Sequence, residues 1–210
     1  MKIRYVLAGL LLPVMFLSGC ATNVSTLEPD LSMCAGQNNA TETAQTVFIK
    51  NVTDERVFAA NARADMPTWS NDGSYEEERA IGRKRNGFGK AMGGLVLPEG
   101  MPATSVVKEV LTQAFSDNGY RVVKQETEVT DETRVVNVKM PKFWSWMTPG
   151  FWQIHLSSNI EADVSGFNKE AVKIKGRYTE GFQTGVESNW LTVLNQAIKN
   201  FYEDAKAKLK

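Results

Sequence analysis

The chain has 210 residues, and 24 Lys and Arg residues balance 24 Asp and Glu residues, so the formal net charge is zero. This balance argues against the strongly basic surface that nucleic-acid-binding proteins share, and we expect no nucleic acid among the partners. The length and the 42% apolar content suit one domain with a substantial hydrophobic core.

The amino terminus predicts a secretory signal. Lys2 and Arg4 precede an apolar stretch that runs from Tyr5 to Leu17, and small residues follow at positions 18 and 19. This pattern is typical of a signal peptide, whereas a transmembrane helix needs about 20 apolar residues. We therefore predict that residues 1–19 are cleaved. The remaining chain then carries 22 basic and 24 acidic residues, a formal charge of −2.

The segment Leu17-Ser18-Gly19-Cys20 resembles the lipobox of bacterial lipoproteins. The resemblance implies cleavage between Gly19 and Cys20, followed by attachment of acyl chains such as palmitate to the Cys20 thiol and amino group. Several acyl chains anchor a protein stably in a membrane. Asp at the following position favours inner-membrane retention in this class, so Ala21 implies the outer membrane, with the domain facing the periplasm. The alternative is an ordinary signal peptide and a free Cys20 thiol.

Residues 20–44 are predicted to be the lipidated cysteine and a flexible tether. From Ala21 to Ala44 the chain is rich in Thr, Asn, Ser, Gln and Gly, and this composition buries too little apolar surface to order itself. Cys34 is the one thiol left if Cys20 carries lipid, so no intramolecular disulfide is expected. Two interpretations of Cys34 stay open: a disulfide between two chains, or an incidental residue of the tether.

The periplasmic domain is predicted to span residues 45–210. Thr46 to Val52 is typical of a strand, whereas residues 54–100 are compatible with extra strands or a long loop. The stretch from Gly82 to Gly94 is rich in glycine and basic residues but lacks the spacing of a Walker loop. It is interpreted either as a surface loop or as a contact for an anionic lipid, glycan or protein. The basic residues for that contact would be Arg83, Lys84, Arg85 and Lys90.

The second half of the chain has clear periodicities. Apolar residues at helical spacing predict a helix over Ala103–Asp117 and another from about Asn189 to near the end. A short strand is predicted after Asn118-Gly119, and a meander of three strands follows between residues 136 and 178. Glu161 and Asp163 would face Lys173 and Lys175 across two of these strands. The predicted fold class is α+β: a two-layer sandwich with an antiparallel or mixed sheet, two main helices on one face and an exposed polar face.

Aromatic residues cluster between Pro141 and Trp152, where Pro149-Gly150 predicts the turn of a hairpin. Such clusters often mark a partner or a membrane interface. Three interpretations stay open: closure of the open end of the sandwich, contact with a protein or peptide, and direct contact with lipid. The candidate contact residues are Phe143, Trp144, Trp146, Phe151 and Trp152.

Catalytic chemistry is not predicted. His155 is the single histidine, and no Gly-x-Ser-x-Gly elbow accompanies it. One histidine and one free cysteine do not supply a usual zinc site, so we expect neither a metal nor another cofactor. Glu161 and Asp163 lie two residues apart on one predicted strand opposite lysines, which argues against acid–base work. We expect a protein that is not an enzyme.

The order of a lipobox, a polar tether, a strand, a helix ending in Asn118-Gly119-Tyr120-Arg121-Val122, a long hairpin and a closing helix resembles the YajG-type family of uncharacterised bacterial lipoproteins. The matching stretches are Val107–Val123 and Asn159–Ala205. The resemblance implies a membrane-anchored binding or accessory subunit of a cell-envelope assembly, with a protein partner in the envelope and no catalytic residues. A carrier of lipid or glycolipid is the alternative hypothesis. The sequence does not indicate the oligomeric state.

Overall fold

The computed structural model describes residues 24–34, 45–60, 62–68, 76–86, 88 and 90–210. The predicted signal peptide, Cys20 and the cleavage site lie outside these residues. Within them the chain forms eight strands and two α-helices in the order β1 (Ser25–Thr26), β2 (Thr46–Asp54), β3 (Ala80–Arg85), β4 (Ala91–Val96), α1 (Ala103–Asp117), β5 (Arg121–Val123), β6 (Arg134–Pro149), β7 (Ile154–Ser165), β8 (Val172–Phe182) and α2 (Glu187–Lys208).

The strands form one mixed sheet organised around β6. Strand β7 pairs antiparallel with β6, and β8 pairs antiparallel with β7. Along the other edge of β6, the first half pairs in parallel with β2 and the second half with β3. Strand β5 extends the sheet beside β2, while β4 and then β1 extend it beside β3. The α+β prediction is confirmed, and the sheet is mixed rather than purely antiparallel.

The main hydrophobic core lies between the sheet and the two helices. It contains the residues that the helical and alternating patterns pointed inward, among them Val107, Leu111, Val136, Val138, Leu156, Ile160, Leu194, Ile198 and Phe201. Helix α2 approaches β8 most closely at Gly176, where an added Cβ would lie 2.2 Å from the carbonyl oxygen of Ala197. Only glycine allows the helix backbone to pack directly on the strand here.

The opposite face of the sheet is partly covered, which corrects the prediction of an exposed polar face. Trp144 and Trp146 point to this face and form a second, smaller core with Ala80, packed against Phe58 and Ala64. The cover comes from Phe58 and Ala64, which lie between β2 and β3 in the sequence.

A β-bulge changes which residues of β6 face the helices. Lys139 pairs with Asp163 and Lys142 pairs with Glu161, so β6 has one more residue than β7 between these two pairs. Val138 and Met140 therefore face the helices, and after the bulge it is Phe143 that does so. The bulge includes Pro141, which has no backbone N–H to give to the ladder.

Part of the predicted tether belongs to the domain. Strand β1 pairs in parallel with β4, and Leu27 and Cys34 are buried in the main core. Composition alone failed here because two buried apolar contacts and one strand pair are enough to fix a short polar segment. The prediction of a tether over residues 20–44 is therefore wrong for residues 24–34, and the rest of that segment lies outside the described residues.

Residues 54–100 contain a hairpin, β3–β4, and a segment fixed by one arginine. Arg56 is buried, and its guanidinium donates to both carboxylate oxygens of Asp54 and to the carbonyl oxygens of Ala80, Phe143 and Glu77. Because these acceptors lie in or beside three strands, Arg56 ties the chain leaving β2 to the middle of the sheet.

The predicted charge pairs across β7 and β8 are confirmed. Glu161 lies opposite Lys175 and Asp163 lies opposite Lys173, with N–O distances of 3.9 and 3.6 Å.

Among the described strands β8 pairs only with β7, and helix α2 covers part of its outer edge. The Asp204 carboxylate accepts from the Lys175 amide at 2.8 Å, Asn200 donates to the Arg177 carbonyl at 2.8 Å, and the Lys208 ammonium donates to the Lys173 carbonyl at 2.9 Å.

Candidate functional site

Three turns meet at one end of the sheet. Because β3 is parallel to β6, with Gly82 opposite Ser145, the β3–β4 turn lies beside the β6–β7 turn. Ile154, just after the β6–β7 turn, pairs with Phe182 at the end of β8, so the loop leading into α2 lies at the same end. These neighbours bring together segments that are far apart in the sequence.

Large apolar side chains project from all three turns, and we call this set the apolar end. It consists of Phe88 on the β3–β4 turn, Phe151 and Trp152 on the β6–β7 turn, and Val186 before α2. The relative exposures are 98%, 89%, 83% and 47%, respectively. The Phe151 and Trp152 rings contact each other edge to face, with centroids 4.8 Å apart. Grouped apolar groups in contact with water are typical of a binding surface.

Local sequence explains the geometry of the β6–β7 turn. An added Cβ at Gly150 would lie 2.5 Å from the carbonyl oxygen of Gln153, so the chain can close tightly only with glycine there. Pro149 and Ile154 are the last pair of the ladder, and the residues between them extend beyond it. Phe151 and Trp152 consequently lie at the tip rather than over either face.

A small cavity of about 180 Å³ opens below the apolar end. Its lining is Lys84, Arg85, Asn86, Met92, Met147, Ile154, Gly185 and Trp190. The Trp190 indole N–H donates to the Gly185 carbonyl at 3.1 Å, which fixes the start of α2 against the cavity. Pockets for small molecules usually have volumes of about 300–1,000 Å³, so this cavity suits a side chain or the end of an acyl chain better than a whole lipid.

The basic residues predicted as an anion contact are mostly built into the fold. Lys84 is buried in β3 and donates to the Ser25 hydroxyl at 2.7 Å. Arg85 donates to Thr68 at 3.3 Å, and burial lowers the pKa of its guanidinium. Arg83 is half-buried in the same strand, whereas Lys90 is exposed in the turn. The structure therefore leaves Lys90 as the exposed member of the four.

The aromatic cluster predicted between Phe143 and Trp152 divides into two groups. Phe143 lies in the main core, and Trp144 and Trp146 lie in the second core. The Trp144 indole N–H donates to the Ala64 carbonyl at 3.1 Å. Phe143, Trp144 and Trp146 therefore stabilise the domain, and they are not available as the contact surface. Phe151 and Trp152 are available.

Sequence analysis did not find Phe88 or Val186. Phe88 is a lone apolar residue between two glycines, and Val186 follows a polar stretch, so neither belongs to a periodic pattern. The available signal was a bulky apolar residue inside a glycine-rich turn, where no core is within reach.

Strand β1 begins on the side of the domain that carries the apolar end. Strand β1 runs parallel to β4, whose first residue, Ala91, follows the β3–β4 turn. The amino-terminal side of β1 therefore faces the end that carries Phe88. The first described residue is Val24, four positions after Cys20, and the lipidation prediction itself falls outside the described residues.

Other candidate groups lie away from this end or inside the fold. The Cys34 thiol is buried between the helices, and burial, with nearby acidic side chains, raises its pKa to about 11. His155 is half-buried in β7. The described ranges contain no group of three His, Cys, Asp or Glu residues arranged to hold a metal ion. Neither described helix is long and apolar enough to cross a membrane.

Neither a protein-family model nor a curated protein matches this chain. The solved structures that match this chain include the following two. One is a protein of Xanthomonas campestris described under the family name DUF330. It is 12% identical over 87% of this chain and 91% of its own, with a TM-score of 0.43. The other, described only as an uncharacterised protein, is 9% identical over 89% of this chain and 97% of its own, with a TM-score of 0.41.

Proposed function

We propose that this chain is a YajG-type lipoprotein, anchored through acyl chains on Cys20 to the periplasmic face of the outer membrane. There it acts as a non-enzymatic binding or accessory subunit of a cell-envelope assembly. One observation carries the proposal: the lipobox cysteine precedes Val24 by four positions in the sequence, and β1 begins directly after Val24 on the side of the domain that bears the apolar end.

Anchoring at this position restricts the domain. A long tether would let the domain sample all orientations, but four residues between Cys20 and β1 keep one end close to the bilayer. The far end, with the β7–β8 turn at 166–171, then faces the periplasm. A subunit held in one orientation can present the same surface to every partner, which lowers the entropy lost on binding.

The observed cavity favours a binding role over a carrier role. A carrier would enclose most of a lipid, yet the cavity below the apolar end holds about 180 Å³. Its lining is fixed by Trp190 and by paired backbone of β6 and β7. We therefore keep the carrier as the second hypothesis and the binding subunit as the first.

Membrane fractionation of the full chain tests the anchor. With Cys20→Ala, the protein should leave the membrane fraction, and mass spectrometry of the parent should find acyl chains on Cys20. Cys34→Ala is the matched control, since it removes a buried thiol and should leave the protein in the membrane. Retention of the Cys20→Ala variant in the membrane, or an unmodified Cys20 in the parent, would refute the anchor.

Photo-crosslinking in living cells tests the binding role. A photoreactive residue is placed at Val57, in the segment after β2, or at Lys169 in the β7–β8 turn. Both positions are exposed, and both lie away from the apolar end. A discrete protein adduct at either position would identify the partner and its docking surface. Lack of protein adducts at both, while the anchor is intact, would count against an accessory subunit.

A further inference from the structure

We infer that the apolar end inserts into the interfacial layer of the same bilayer that holds the lipid of Cys20, so the domain contacts the membrane at two points. This inference rests on the proposed anchoring. The ligand of Phe88, Phe151 and Trp152 is then a phospholipid surface rather than a protein.

The reach of the chain limits the distance between the bilayer and the domain. Five residue steps separate Cys20 from Ser25, and a fully extended chain covers at most about 3.6 Å per residue, or about 18 Å in total. The bilayer surface that holds the acyl chains must therefore lie within about 18 Å of Ser25.

The β6–β7 turn projects about as far toward the bilayer as the anchor can reach. Ser25 pairs with Leu95, Leu95 pairs with Gly82, and Gly82 pairs with Ser145, so Ser25 and Ser145 lie at one level across the sheet. The four steps from Ser145 to Pro149 add about 13 Å at a strand rise of about 3.3 Å. The tip with Phe151 and Trp152 extends farther, so it reaches about as far beyond this level as Cys20 can.

A folded protein does not fit between the apolar end and the bilayer. A domain of about 100 residues has a radius of gyration of about 13 Å, so its diameter is at least about 26 Å. This diameter exceeds the whole reach of the chain from Ser25, which is about 18 Å. The anchor and the tip together therefore favour lipid as the occupant of this surface.

The side chains suit the interfacial layer. Trp and Phe place apolar rings among the headgroups, and the indole N–H keeps a polar partner there. Lys90, exposed beside Phe88, can extend its ammonium to a phosphate group. Glu187 is an exposed acidic residue at this end, so contact depends on apolar burial more than on charge.

The test uses the full-length lipoprotein, purified from membranes and placed in vesicles of phosphatidylethanolamine and phosphatidylglycerol. Phe88→Cys carries an environment-sensitive fluorophore and leaves Phe151 and Trp152 in place. Phe88 is 98% exposed, so its replacement leaves the core intact. Lys169→Cys, in the turn at the opposite end of β7, is the matched control. Cys34 is buried and stays unlabelled.

Lipids brominated in the acyl chains should quench the probe at position 88 several-fold more than the probe at position 169. Trp152 provides a second measurement. The difference in tryptophan emission between the parent and the Trp152→Phe variant comes from Trp152, and brominated lipid should reduce this difference. Mass spectrometry of the same sample reports the state of Cys20. Equal quenching at positions 88 and 169 with a lipidated Cys20 overturns the inference alone. An unmodified Cys20 overturns the anchoring and the inference together. If a photoreactive residue at position 151 forms an adduct with a protein, the apolar end binds a protein partner and the inference is overturned.

Discussion

Replacing Arg56 with methionine should destabilise the domain by about 3 kcal/mol. The Arg56 side chain is fully buried and forms a bidentate pair with Asp54, with Nε–Oδ1 and Nη2–Oδ2 distances of 2.9 and 2.6 Å. Removal of one partner of a buried ion pair costs about 3–5 kcal/mol, because the other charge stays behind. The Asp54 side chain is 27% exposed, and water can rehydrate it, so the lower end of this range applies.

Urea unfolding followed by circular dichroism measures the loss. With a slope of about 2 kcal/mol per molar, a loss of about 3 kcal/mol lowers the midpoint by about 1.5 M while the slope stays constant. Arg63→Met is the matched control, since Arg63 forms the same bidentate contact with an aspartate two residues away, Asp65, but its side chain is 78% exposed. Exposed pairs contribute little to stability, and its midpoint should not move measurably.

The double variant Asp54→Leu, Arg56→Met completes the test. It removes both charges and should recover part of the loss, since no carboxylate is left without its partner. If Arg56→Met and Arg63→Met shift the midpoint equally, burial of the pair does not set its contribution to stability.

Three further predictions concern packing and the buried thiol. Trp144→Ala should cost about 3–5 kcal/mol in urea unfolding, while Trp152→Ala should leave stability unchanged; a similar loss from both would place the tip in the core. Gly176→Ala should destabilise the domain more than Gly181→Ala. At position 176 the added Cβ would lie 2.2 Å from the rigid backbone of α2, whereas at position 181 it would lie 2.3 Å from the movable end of the Gln153 side chain. Equal thermal midpoints of the two variants would contradict this prediction. Cys34 should resist iodoacetamide in the folded protein and react in urea. Because its folded pKa of about 11 exceeds the ordinary value of 9.0, its contribution to stability should be fully present below pH 9 and decline as the pH rises toward about 11. Alkylation of the folded protein, and an unfolding free energy that does not fall over this pH range, would contradict these predictions.

Long periodic segments of the sequence predicted their structure well. Helix α1 has the predicted bounds, and Glu161 and Lys175 meet in the predicted register, because side chains on a helix or a regular hairpin repeat at a fixed period. The hairpin β3–β4 was not predictable in the same way. Its strands contain three glycines and have no alternation, and β3 is identified by its pairing with a distant part of β6.

The candidate site was predicted only in part. Phe151 and Trp152 were among the predicted contact residues, whereas Trp144 was assigned to the same cluster although it is buried against Phe58 and Ala64. A single extra residue at the β6 bulge reverses the faces that all later residues of the strand point to, and sequence alternation does not report such an insertion. Phe88 joins the site through tertiary packing of two turns, which a local pattern does not contain.

The last helix has a role that concerns other copies of the chain. Strand β8 is 11 residues long, and an uncovered strand of this length offers a row of amide and carbonyl groups to which a second sheet can add. Asn200, Asp204 and Lys208 occupy three of those groups, and all three come from the final turns of α2. The carboxyl-terminal helix therefore prevents other chains from pairing with this edge. A chain truncated before Asn200 would expose the edge of β8, and we expect it to aggregate by adding strands from other copies.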